Sequence, residues 1–261
     1  MVTIVNFQIQ FPGELDLMVN NYVLDGKYLV LEHSSPKGSQ EKYFDGEYWY
    51  KVDKVGREGK VEELISRLLG CSSLNENSYV VYSTCCVNGK SGCRSKSFLG
   101  SDEEFLNFSS LYDSVYGSDL ENDLFLLRDT TSRLGLLLNT GKQVGVDLYD
   151  YFKRLLFLDM LILNRDRHSG NYGVIYNKNG YFREAPIFDN GQSLMTGLSH
   201  DDIVSSKTIS GSFEDQVVAF GYPLKSPFTL NYSEILSWLE QGAEENVLKS
   251  QLLKYRGIFE K

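Results

Sequence analysis

The sequence predicts an α+β, two-lobed fold: a small β-rich lobe carrying one helix, then a larger, mainly helical lobe. Three observations lead there. The first half holds runs rich in β-branched and aromatic residues, one amphipathic stretch interrupts them, and beyond about residue 100 the hydrophobic period becomes helical.

Residues 2–11, 22–31 and 42–52 read as strands, with Asp25-Gly26 and Asp45-Gly46 as hairpin signals inside two of them. A helix is predicted over 58–69. Val61, Leu64, Ile65, Leu68 and Leu69 form its apolar stripe, and Gly70 is its stop signal. A strand at 78–82 follows, and the chain is expected to cross between lobes near 83–92, dividing it into 1–86 and 87–261. Ser101-Asp-Glu-Glu resembles a capping box that opens a helix. Asp147 can cap a nearly all-apolar helix over 148–163, which must be buried. Strands at 173–176 and 185–188 frame the Asn179-Gly180 turn, and helices at 232–240 and 246–259 close the chain.

Composition narrows the function. Of 261 residues, 42% are hydrophobic and 23% charged, as in an ordinary globular protein, and Tyr (17) and Phe (15) can fill a core. A formal charge of −9 argues against a protein that coats nucleic acid, whose phosphates need clustered Lys and Arg. No apolar run is long enough to span a membrane and the start lacks a secretion signal, so no membrane partner and a cytoplasmic location are expected. Cys71, Cys85, Cys86 and Cys93 form no CxxC pair, which fits reduced thiols better than zinc or redox chemistry.

The densest chemical signal is Asn164-Arg-Asp166-Arg-His168-Ser-Gly-Asn171, a polar loop between a buried helix and a strand. Asp166 and Asn171 stand five apart, the spacing of a base Asp and a metal-binding Asn in kinase loops. The Asp would meet the attacking hydroxyl, and the amide oxygen would help hold Mg²⁺ on the phosphates. Eighteen residues on, Phe188-Asp189-Asn-Gly191 puts Asp189 at the end of an apolar strand before a turning glycine, the setting of a Mg²⁺-chelating carboxylate.

Asp-Arg-His-x-x-Asn followed by Phe-Asp-x-Gly resembles the signature of HipA-like bacterial serine/threonine kinases, whose loop is similar to that of phosphoinositide lipid kinases. Ser35-Pro-Lys-Gly38-Ser39-Gln40-Glu-Lys42 is similar to their phosphate loop, and 92–99 looks like a segment that follows the crossing in related small kinases. The resemblance covers about residues 30–260, without the extra N-terminal subdomain of HipA. It implies a bilobal protein-kinase-like fold, ATP and Mg²⁺ as cofactors, a protein Ser/Thr hydroxyl as substrate, and a bacterial or phage-like origin. It also implies that Ser35, Gly38, Ser39, Gln40 and Lys42 cradle phosphates. Ser35 corresponds to a serine phosphorylated in HipA, so slow autophosphorylation there, or at Ser34 or Ser39, is expected to eject the loop from the nucleotide.

A kinase-like small lobe needs a Lys for the phosphates and a helix Glu to orient it. Lys51 ends the aromatic strand 47–50, whereas its rival Lys54 follows Asp53, where the strand pattern fails. Glu62 lies on the margin of the apolar stripe and Glu63 nearly opposite it, so Glu62 is the inward partner. Ser83 and Cys85, in the expected crossing, are candidates to line the nucleotide, Cys85 by packing rather than by reacting. His168 either contacts a phosphate or ribose oxygen or holds the loop's shape. Asp159, a charge in an apolar helix, should pair with the backbone or an Arg side chain of the following loop. Two other readings stay open: a pseudokinase that binds ATP without transfer, and a kinase of a lipid or small-molecule alcohol.

Overall fold

The computed structural model describes residues 3–9, 17–30, 40–54, 56–197 and 212–260. Strands β1 (Thr3–Ile9) and β2 (Leu17–Val23) pair antiparallel. Asp25-Gly26 makes no hairpin. Its Asp caps a single 3-10 turn at Gly26–Tyr28 by accepting from Lys27 N–H. Strands β3 (Lys42–Phe44) and β4 (Tyr48–Val52) do form a hairpin, its turn held by Asp45 Oδ1, which accepts from the N–H groups of Glu47 (2.9 Å) and Tyr48 (2.7 Å).

Helix α1 (Glu58–Gly70) starts where Asp53 Oδ1, just past β4, accepts from Gly59 N–H at 2.7 Å. Its stripe Val61, Leu64, Ile65, Leu68 and Leu69 is buried as the period requires. The strand expected at 78–82 begins later. Residues 76–78 are a 3-10 turn, Tyr79 makes one parallel bridge to Ile187, and β5 (Tyr82–Val87) and β6 (Lys90–Lys96) follow. Asn88 (φ 51°) and Gly89 (φ 78°) are both left-handed and join Val87 to Lys90 in a two-residue hairpin. The crossing expected near 83–92 is therefore corrected: that stretch lies inside the sheet, which the chain leaves only after Lys96. The six strands run in the order β1-β2-β5-β6-β4-β3, with only the β2–β5 contact parallel.

The second correction concerns Ser101-Asp-Glu-Glu. Instead of opening a helix, it leads into β7 (Glu103–Asn107), and the helix begins behind Asn107, whose Oδ1 accepts from Ser110 N–H. Helices α2 (Phe108–Tyr116), α3 (Leu120–Leu126), α4 (Thr130–Gln143) and α5 (Tyr149–Ile162) follow. In α5, Tyr151, Phe152 and residues 155–162 are all buried, and Leu163 ends the helix at φ 55°. β8 (Gly173–Asn177) pairs with β7 on one side and β9 (Phe182–Glu184) on the other, so the expected partner strand at 185–188 is shifted toward the turn. Beyond lie α6 (Phe213–Val218), α7 (Tyr232–Trp238), α8 (Ala243–Lys254) and α9 (Arg256–Phe259). One hydrophobic core runs from α1 through α2 to α5 and on to α8 and Phe259. A smaller one, built from Tyr22, Leu24, Tyr43, Tyr50, Val52, Cys85 and Val87, covers the outer face of the sheet. Among the described residues no helix is long and apolar enough to cross a membrane.

Candidate active site

A cleft of about 1140 Å³ separates the sheet and α1 from the 164–171 loop. Strand alternation decides which side chains enter it. Opposite pairs Trp49–Ser95, Lys51–Cys93 and Tyr82–Ser95 put one set on the cleft face, and Trp49, Lys51, Tyr82, Cys93 and Ser95 all line it. Ser83 and Cys85 have the other parity, facing Arg94 and Gly92. Cys85 is buried in the outer core and Ser83 is exposed, so neither reaches the cleft and their assignment to the nucleotide is corrected.

Lys51 sits at the inner end of the cleft, 8% exposed. Its Nζ donates to Glu62 Oε1 at 2.9 Å and to Asp189 Oδ1 at 2.7 Å, and lies 4.8 Å from the centre of the Tyr82 ring. Glu62 reaches it because α1 packs almost backbone to backbone on the sheet. A Cβ on Gly59 would stand 2.5 Å from the Gly92 carbonyl carbon in β6. The other Glu62 oxygen accepts from Asn190 N–H at 3.0 Å. Burial alone would lower the Lys51 pKa, but Asp189 and then Glu62 outweigh it and hold the ammonium well above its usual value. Burial would likewise raise the Asp189 carboxyl, but Lys51, with Lys42 next, holds it well below the usual carboxylate range. Glu62 is pushed up by its burial against the pull of Lys51. Lys54 lines the cleft beyond the end of β4, while Glu63 accepts from Thr84 Oγ1 at an exposed site.

Asp189 itself takes the left-handed conformation (φ 59°), so the turn expected at Gly191 occurs at the carboxylate. Gly191 serves a different need: a Cβ there would come within 3.1 Å of Glu58 Cβ. Phe188, just before, packs against Phe98 and Phe105 with ring centres 5.6 and 5.3 Å away, forming an aromatic wall where the chain leaves the sheet.

The 164–171 loop forms the opposite side. Asn164 Oδ1 accepts from Asp166 N–H (3.1 Å), and Asn171 Nδ2 donates to the Asp166 carbonyl (2.9 Å). That bond uses the amide nitrogen of Asn171, so its oxygen is the atom it can offer a cation. The Asp166 side chain is exposed to the cleft. Its carboxyl is raised by partial desolvation and by Asp189, against the pull of His168. His168 Nδ1 accepts from Gly170 N–H at 3.1 Å, with its ring folded so closely over Gly170 that a Cβ there would meet Cε1 at 2.8 Å. Of the two roles left open, this contact favours holding the loop. Beneath the loop, Arg167 meets Asp159 through Nε and Nη2 (3.0–3.2 Å) and donates to the carbonyls of Asn171 and Phe188 and to Asn190 Oδ1. It thus fastens the loop to the strand end that carries Asp189.

The cleft brings together Gln40, Lys42, Lys51, Glu62, Asp166, His168, Asn171 and Asp189. Ser35, Gly38 and Ser39 lie outside the described residues. Ser95, Lys96, Ser97, Phe98 and Leu99, within the 92–99 segment singled out by resemblance but not assigned to the site, form one wall of the cleft, and Asn88-Gly89 signals the hairpin that puts them there. No family model matches the chain, and no curated protein does. Among solved structures it is similar to the Helicobacter pylori proinflammatory kinase CtkA, with a TM-score of 0.56 and 17% identity over 87% of this chain and 90% of that one. The fold is kinase-like. In that kinase-like frame, β4, α1 and the 164–171 loop each contribute one side of the cleft.

Proposed function

We propose that the chain is an ATP- and Mg²⁺-dependent phosphotransferase, a HipA-like kinase that phosphorylates a Ser or Thr hydroxyl of a protein. The observation that carries the reading is Lys51 Nζ held between Glu62 and Asp189 at one side of the cleft, with Asp166 and Asn171 on the other. In this reading the lobes divide after Lys96, and ATP lies between the aromatic wall and Lys51. The volume of about 1140 Å³ is ample for a nucleotide.

The donor set suits Mg²⁺. Asp189 supplies a carboxylate and Asn171 an amide oxygen, both hard ligands. Among the described residues no group of three or more His, Cys, Asp or Glu could hold a metal. The pair would therefore depend on phosphate oxygens and water to complete its coordination, as Mg²⁺ sites commonly do. When bound, the ion would neutralise charge on the phosphates. Lys51 would turn its ammonium from Asp189 to the phosphates while Glu62 keeps it in place. Asp166 would orient the attacking hydroxyl and accept its proton. The four cysteines are free and buried, which supports a reducing, cytoplasmic setting.

The test is ADP release with Mg²⁺ and labelled ATP, followed by mapping of labelled residues after incubation with a lysate. Label on protein Ser or Thr, lost in Asp166→Asn, is expected. Label on lipid or small molecules would overturn the substrate class, and absence of ADP release would overturn the kinase reading.

A further inference from the structure

The segment after Asp189 follows an unusual path. Leu194 (φ 54°) and Met195 (φ 60°) are consecutive left-handed residues, a conformation that bulky side chains rarely adopt and that must be held by its surroundings. Leu194 is anchored on the main core side, its N–H donating to the Ile162 carbonyl at the end of α5 (2.8 Å) while its side chain is buried. The path delivers Thr196, 3% exposed, to a point where three parts of the molecule meet.

Thr196 Oγ1 accepts from Arg57 N–H at the start of α1 (3.2 Å) and stands 3.5 Å from Glu244 Oε1 in the first turn of α8. Its carbonyl accepts from Arg165 Nη2 at 2.6 Å, one residue before Asp166. Gln192, on the same segment, repeats the bridge: its Oε1 accepts from Arg165 Nη2 (2.9 Å) and its Nε2 donates to Glu58 Oε1 (3.1 Å). Gly56 lets the strands of this junction touch, since a Cβ there would lie 2.9 Å from both Gly197 N and Thr196 Oγ1. Glu244 and Glu245 also face Arg57 (3.8 Å) and Lys60 (2.8 Å), so α8 grips the first turn of α1.

We propose that Thr196 is a positioning residue, which fixes the start of α1, and through it Glu62, relative to the Arg165–Asp166 loop. Glu62 lies five residues beyond the Arg57 N–H that Thr196 holds, so movement there swings the carboxylate away from Lys51. The role in turnover rests on the kinase reading, but the coupling itself does not.

The test compares Thr196→Val, which removes the hydroxyl at nearly constant shape, with Thr196→Ser, which keeps it. Amide hydrogen exchange at 57–62 is expected to quicken at least tenfold in the valine variant, with α5 unchanged and the serine variant near wild type. ADP formation should fall in parallel, at least fivefold in kcat with a smaller change in KM, and return in the serine variant. Unchanged exchange at 57–62, or a uniform rise across the molecule, would overturn the proposal. Should the valine variant not fold, Gly56→Ala, which pushes Thr196 aside and keeps its hydroxyl, is read by the same exchange. A wild-type protein without ADP formation would end the kinase reading, while exchange would still decide the positioning role.

Discussion

Two ionic groups stand within the same region and differ in how far they are closed. Under the 164–171 loop, Asp159 and Arg167 each have 1% of their side chain exposed, one charge answers one charge, and the remaining Arg167 donors meet Asn171, Phe188 and Asn190. In the cleft, Lys51 faces two carboxylates, and Asp189 keeps 22% of its side chain exposed. The first group is closed and balanced, and it holds two segments together. The second is open: Lys51 is shared by Glu62 and Asp189, Lys42 also bears on Asp189, and the exposed edge of Asp189 borders the cleft, where the proposed Mg²⁺ would sit. Burial alone does not mark a functional ion pair; a group that shares one cation between two carboxylates and borders solvent is the better candidate.

The largest expected effect concerns the open group. Asp189→Ala should reduce phosphate transfer by about 10³-fold or more, since phosphate charge would go uncompensated, and leave the protein folded. Lys51→Met should be comparably crippled. An Asp189→Ala protein with near wild-type transfer would erase the distinction.

The closed group should answer in stability. Arg167→Met leaves the Asp159 carboxylate buried without its partner and is expected to cost about 3–5 kcal/mol in denaturant unfolding. Asp159→Asn added to it should recover part of that loss. A fully stable Arg167→Met would show that the closed pair is not a fastener.

Asp166→Asn should lower kcat by about 10²-fold while nucleotide affinity holds within about threefold, because the group acts on the hydroxyl. Its pH signature has a definite sign. A base must be ionised, and Asp166 is raised above the ordinary Asp value, mainly by desolvation. The acid limb of kcat/KM should therefore lie above about pH 3.9, and activity should fall as pH drops through it. A limb at or below that value would contradict the assignment. The smallest effect belongs to Glu63→Ala, which faces Thr84 outside the cleft and should stay within about twofold of wild type.

Much of this was legible in the sequence where periodicity or loop spacing carries the information. The α1 stripe selects Glu62 over Glu63, and the five-residue step from Asp166 to Asn171 is a property of one short loop. Sheet membership was not legible, because it depends on pairing between distant segments. Taking 83–92 as a crossing overlooked Asn88-Gly89, and the error moved Ser83 and Cys85 into a cleft from which strand parity excludes them. Ser101-Asp-Glu-Glu likewise suggests a helix start, because nothing local shows that Gly173–Asn177 will pair with Glu103–Asn107. Thr196 carried no signal at all. Its importance comes from where Leu194 and Met195 put it, against the helix starts at Arg57 and Glu244, 139 residues earlier and 48 residues later in the chain.

Calorimetric titration with ATP, with and without Mg²⁺, on the wild type and Asp189→Ala decides whether Asp189 couples a cation to the nucleotide. Tight binding that needs Mg²⁺ is expected in the wild type, and loss of that Mg²⁺ dependence together with most of the affinity in the variant. Equal binding with and without Mg²⁺ in the wild type, or Mg²⁺-dependent binding that survives in Asp189→Ala, would contradict that coupling.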